Sequence, residues 1–239
     1  MATSPAADPP VAASRAPSAR GKLRRRAPLL LLLLAIGTGG TIWWRDGGKR
    51  LFFPRQWDVV VPGFLYRSGQ IHARLVEDVL REHQIDLVID LARDRWSDPD
   101  ARAEREAIER LGIERLAFED LDGSGRGNPA SYEAALAAIA EARRAGRRVL
   151  VHCSAGSERA GGAVMLYRTL FEGWSGADAF HEYLRYRNRP PVRSRVAHFL
   201  DTHMEEIAAG LVARRALPAL PDPLPVLSPG VSAPPVAAP

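Results

Sequence analysis

Apolar positions in this chain change period along its length. DLVIDL (86–91), IERLAF (113–118) and RVLVHC (148–153) are short runs rich in branched apolar residues, and they read as buried strands. Between and before them lie ARLVEDVLREHQ, DPDARAEREAIERLG and NPASYEAALAAIAEARRAG, where apolar residues recur at helical spacing. The last of these is fully punctuated: Asn128 caps it, Pro129 takes its first turn, and Gly146 ends it. After the third strand, RAGGAVMLYRTLFEG starts another helix, and two more are expected near Gly176 to Tyr186 and Ser194 to Ala209. Strand–helix–strand alternation predicts an α/β fold, a mostly parallel sheet flanked by helices on both faces. No internal repeat is visible.

The flanks have other patterns. Residues 1–26 are Ala, Pro and Ser followed by RGKLRRR, a basic arm with little to bury. Residues 27–44, APLLLLLLAIGTGGTIWW, carry no charge. As a helix they would be roughly 27 Å long, close to the ~30 Å hydrocarbon core of a bilayer. They are expected to form a single-span anchor with Trp43 and Trp44 at the interface. Six basic residues precede this span and four follow it, which favours a cytoplasmic N-terminus and an extracytoplasmic C-terminal domain. Residues 45–55 then form a juxtamembrane linker and 56–216 the globular domain, in a chain long enough for one domain plus tails. The Pro-rich segment 217–239 is expected to be a disordered tail.

Charge refines this division. The net charge is +5, yet through Arg55 there are ten basic residues against two acidic ones, leaving a slightly acidic globular part. The basic excess belongs to the arm and does not point to nucleic acid. A single cysteine excludes an internal disulfide and any multi-cysteine metal site.

That cysteine lies in VLVHCSAGSERAGG, between an apolar run and a helix start. At the carboxyl end of a strand and the amino end of a helix, backbone N–H groups and the helix dipole favour an anion. The small residues Ser154, Ala155, Gly156 and Ser157, with Glu158, can form a nest for phosphate oxygens. The same field favours the Cys153 thiolate, and Arg159 offers a planar fork matching two phosphate oxygens. These are the parts needed to pass a phosphoryl group through a phosphocysteine. No metal or other cofactor is implied.

His-Cys-x-x-Gly-x-x-Arg resembles the signature of the cysteine-dependent protein tyrosine phosphatase superfamily, most closely its dual-specificity-like branch. GFLYRSGQ (63–70) is similar to that branch's opening strand, and YRTLFEGWSGADAF to its helices after the loop. The resemblance implies hydrolysis of a phosphomonoester, on phosphotyrosine or with dual specificity. A phosphorylated protein or another phosphomonoester would then be the partner. The alternatives are a lipid or inositol phosphate substrate, or a phosphate-binding pseudophosphatase. Sulfur transfer and arsenate reduction fit less well: the first needs no distant acid loop, and the second needs resolving cysteines.

The family also supplies an acid from a mobile loop roughly thirty residues before the cysteine. Here that loop is FEDLDGSGRGNP, with Asp122 the preferred carboxylate because Gly123 beside it lets the loop swing. Asp120 is the alternative, and Glu158, just before the loop arginine, a third. His152 is expected to orient the loop, and Arg67 to sit in a buried ion pair. Arg185, Arg187, Arg189, Arg193 and Arg195 could attract anions, although such clusters are commonly solvated helix ends. One position departs from the family pattern. Ala160 stands where a Ser or Thr usually helps the thiolate leave the phosphoenzyme.

Overall fold

The computed structural model describes residues 34, 36–41, 44, 47–93, 96–186 and 194–228. The chain divides into two compact units, Met1–Gly48 and Lys49–Pro239. In the first, residues 36–41 are helical and exposed, and the Thr38 hydroxyl donates to the Leu34 carbonyl one turn back. Among the described residues no helix is long and apolar enough to cross a membrane. The arm 1–26 and most of the expected span 27–44 lie outside them, as do Arg187, Arg189 and Arg193.

In the second unit, five strands form one sheet in the order β1-β2-β5-β3-β4. They are β1 (Asp58–Val61), β2 (Leu65–Gly69), β3 (Leu87–Asp90), β4 (Glu114–Ala117) and β5 (Val149–Cys153). Only β1 is antiparallel, paired with β2 through a tight turn at Gly63, whose φ of 70° suits glycine. Thus β1, absent from the sequence reading, is the opening strand, and GFLYRSGQ is the second. Register puts the carboxyl ends of the three central strands side by side: Gly69 beside Cys153, and Asp90 beside His152. This is where a parallel sheet binds its ligands.

Helices cover both faces, as the alternation predicts. Along β5, Val149, Val151 and Cys153 enter one core and Leu150 the other. The smaller core lies under α1 (Val76–Glu82) and α2 (Pro99–Leu111). The larger lies under α3 (Pro129–Arg144), α4 (Glu158–Phe171), α5 (Gly176–Leu184), α6 (Arg195–Thr202) and α7 (Met204–Ala213). Asn128 caps α3 by accepting from the Ala130 N–H at 3.0 Å, with Pro129 in the first turn. Asp98 and Pro99 start α2 in the same manner, and Gly112 ends it in the left-handed region.

Three expectations need correction. The run 113–118 is not a buried strand: β4 sits at the sheet edge and is half-exposed, because its outer side has no neighbour. The helix expected over Ser194 to Ala209 is two helices that break at His203. The tail is not free from 217 onward. Leu217 and Leu227 are buried in the larger core, and Asp201 accepts hydrogen bonds from the Leu227 and Ser228 backbone at 2.6 and 2.9 Å. Its prolines do exclude helix and strand, but its leucines still have apolar surface to cover. Its last residues, 229–239, lie outside the described set.

Candidate active site

The loop 152–159 closes the carboxyl end of β5 and feeds directly into α4. Cys153 is almost wholly buried, and its Sγ accepts the Gly156 N–H at 3.3 Å. Gly156 has φ +76° and no room for a side chain, since a Cβ there would lie 2.6 Å from the Gly69 nitrogen. Arg159 folds back over the loop, donating to the Leu91 carbonyl at 2.9 Å and the Ser154 hydroxyl at 3.0 Å. Its fork is therefore oriented from the end of β3 before any anion arrives. Sulfur, a small-residue loop and a fixed guanidinium converge, as the motif requires.

Several residues outside the motif hold this loop. Arg67 is buried, but among the described residues it has no ion pair of the kind expected of it. It donates to the Gly156 carbonyl at 2.6 Å and lies over the Tyr186 ring, 3.8 Å from its centre. The Ser157 hydroxyl donates to the Tyr186 carbonyl at 2.9 Å, and Arg55 donates to the Ser154 carbonyl at 3.3 Å. Residue 55, assigned to a linker, is thus part of the domain. The Glu158 carboxylate accepts from the Tyr183 hydroxyl at 2.5 Å, and Tyr183 accepts from Ser194 at 3.1 Å. Glu158 therefore ties the loop to α5 and the start of α6. Ser194, Tyr183 and Tyr186 of this network had no signal in the sequence beyond ordinary helix positions.

The acid loop is fastened rather than free. Leu121 is fully buried and bridges to Gly127, while the Tyr132 hydroxyl holds the Gly125 carbonyl at 2.9 Å. Asp122 Oδ1 accepts from the Ser124 N–H and hydroxyl at 2.8 and 2.6 Å and from the Arg126 N–H at 3.1 Å. Partial burial pushes the Asp122 carboxyl up, but the bonds from Ser124 and Arg126 outweigh it and hold the group below its ordinary value. Asp120 is exposed, and no hydrogen bond to its carboxylate is described.

Behind the loop, on the smaller-core side, His152 Nε2 lies 3.5 Å from Glu104 Oε1 and 3.6 Å from Asp90 Oδ1. All three residues are buried. Neither carboxylate was singled out from sequence.

A family model described as the tyrosine phosphatase family matches residues 44–222. The chain belongs to the tyrosine phosphatase family. No curated protein matches the sequence. Among solved structures, TpbA of P. aeruginosa is 20% identical with TM-score 0.52, over 67% of this chain and 91% of that one. The catalytic core of the S. cerevisiae PP-IP phosphatase Siw14 is 20% identical with TM-score 0.56, over 69% and 96%. PTPMT1 is 18% identical with TM-score 0.53, over 66% and 99%. At these identities the likeness establishes a shared fold.

Proposed function

We propose that this family member hydrolyses a phosphomonoester through a phosphocysteine, with Cys153 as nucleophile and Arg159 as the clamp on the phosphoryl oxygens. The observation that carries this is Arg159, held by Leu91 and Ser154 over a loop whose cysteine already accepts a backbone N–H. Sulfur attacks phosphorus, the ester oxygen leaves with a proton from an acid, and water then breaks the S–P bond. That proton is assigned to Asp120. Asp122, preferred from spacing, is committed to its own loop and made a weaker proton carrier by it, whereas among the described residues none bonds the exposed Asp120 carboxylate.

Phosphotyrosine, alone or with phosphoserine and phosphothreonine, is the substrate class proposed first; a Cys-to-Ser form of TpbA has been solved with phosphotyrosine. An inositol or lipid phosphate is the second reading. It is favoured by a cleft of about 150 Å³ beside Ser154 and Ala155, lined by Arg50, Arg55 and His72 together with Asp98 and Asp100. PTPMT1 has been solved with PI(5)P. The proposal retains a membrane anchor at 27–44 with the domain outside the cytoplasm, supported by the uncharged run and the basic residues before it.

The test is phosphate release by the full-length protein in detergent over aryl phosphate, phosphopeptides and inositol phosphates. Cys153→Ser should abolish release without lowering Tm, and Arg159→Lys should lose most of it because an ammonium cannot replace the fork. Either variant within about tenfold of wild type contradicts the mechanism.

A further inference from the structure

The sheet register that places Cys153 on one face places His152 on the other, against two carboxylates that belong to different elements. Asp90 ends β3, and Glu104 comes from the middle of α2. His152 Nδ1 and Nε2 and Glu104 Oε1 have no described hydrogen-bond partner, although each atom is shielded from solvent. A buried carboxylate without compensation is costly. The other groups facing the cluster compensate only in part. Arg115, from β4, donates to Asp90 Oδ2 at 2.7 Å, and Gln70, after β2, donates to Glu104 Oε2 at 3.0 Å. With Asp90 satisfied by Arg115 and the Ala92 N–H, the group left short is Glu104 Oε1, facing His152.

We propose that Glu104 and His152 hold one shared proton between Oε1 and Nε2, with Asp90 as the fixed negative partner, and that this buried triad positions the phosphate loop from behind. The proposal rests on the loop being the reacting site. Acidities agree in direction. Burial, then the Asp90 charge, raises Glu104, while His152, the Ala92 N–H and Arg115 outweigh burial at Asp90 and lower it.

Two links carry the triad to the phosphate site. Asp90 caps the turn that contains Leu91, whose carbonyl holds Arg159 and whose N–H donates to the His152 carbonyl at 2.9 Å. Gln70, bonded to Glu104, also donates its backbone N–H to the Ser154 carbonyl at 3.3 Å. Loss of the shared proton leaves two buried carboxylates facing one another, and their repulsion acts on Leu91 and Gln70, the anchors of the loop. Asp90, Glu104 and Gln70 are thus positioning residues rather than catalytic ones.

The experiment measures affinity for inorganic phosphate by calorimetry, and kcat and KM, across pH 5.5 to 9 on the full-length protein. Wild-type affinity should fall on the alkaline side. Glu104→Gln, whose amide keeps its hydrogens at every pH, should bind within about tenfold of wild type at pH 6 and show no alkaline fall. An alkaline fall that persists unchanged in Glu104→Gln overturns the proposal. Should that variant fail to fold, Gln70→Leu removes the side-chain bond to Glu104, and with it the tie between the triad and Ser154, while keeping the Gln70 backbone N–H on the Ser154 carbonyl. It should weaken phosphate binding several-fold at a temperature where the variant is still folded; unchanged binding overturns the link. One equivalent of transition metal in the purified protein would overturn the shared proton, because the three donor atoms would then be ligands. Phosphate binding without hydrolysis would defeat the proposed reaction but leave the triad's pH signature to be read.

Discussion

At the scale of single residues, the catalytic assignment turns on two carboxylates two positions apart. Asp120→Asn should lower kcat by about 10²-fold with poor leaving groups and much less with good ones, which need no proton. Asp122→Ala should instead lower Tm and affect all leaving groups alike, because it removes the acceptor for Ser124 and Arg126. A leaving-group series on both variants checks this, and the reverse pattern returns the role to Asp122. Ala160, fully buried at the start of α4, gives a second prediction. Without a hydroxyl to assist the departing thiolate, hydrolysis of the phosphoenzyme should be slower than its formation. Rapid mixing with an aryl phosphate should then show a burst of phenol, and Ala160→Ser should shrink the burst and raise the steady rate. The sequence carried Cys153, Arg159 and the nest because their chemistry is local to eight residues. It could not carry Asp90, Glu104 or Tyr183, whose roles arise when elements 25 to 62 residues away meet the loop, and whose types are ordinary on a strand end or helix.

Among elements, the strands and caps were the most legible, since their signals lie within a few residues: Asn128 with Pro129, and the apolar run ending at Cys153. The edge position of β4 and the existence of β1 were not, because neighbours in a sheet are chosen by topology rather than by local pattern. Helix α4 shows what a local signal can conceal. Gly161 and Gly162 weaken a helix by propensity, about 1 kcal/mol each. They are there for close approach: a Cβ on Gly161 would lie 2.6 Å from the Tyr183 ring, and one on Gly162 2.9 Å from the Tyr132 hydroxyl. Gly161→Ala should therefore destabilise the protein by about 1–2 kcal/mol despite its better propensity, since overpacking outweighs the helix gain. It should also reduce activity by displacing Tyr183 from Glu158. Urea unfolding together with phosphate release would check both, and a stabilised, fully active variant would contradict the packing argument.

For the whole molecule, composition misjudged where the domain ends, and the reason is physical. A proline-rich, nearly uncharged segment lacks the backbone donors for helix or sheet, which reads as disorder. It still carries leucines, and an irregular strap can cover a core if its few remaining N–H groups find acceptors. Here Asp201 supplies both oxygens to the strap at Leu227 and Ser228. Gly176, at the start of α5, leaves space for it, since a Cβ there would lie 1.8 Å from the Val226 carbonyl oxygen. The strap therefore closes the larger core at α5 and α6, the helices that also hold Tyr183 and Ser194 behind Glu158. Truncation after Ala216 should expose the surface covered by Leu217 and Leu227, at a cost of about 3 kcal/mol after discounting the residual compactness of the unfolded chain. For a domain of this size that is a fall in Tm on the order of 10 °C. Truncation after Ser228 should leave Tm unchanged, because every described contact of the strap is retained. Asp201→Ala should give part of the loss by releasing the two N–H groups while leaving both leucines. If truncation after Ala216 melts with the full chain, the strap contributes nothing to the fold, and the original boundary at 216 stands.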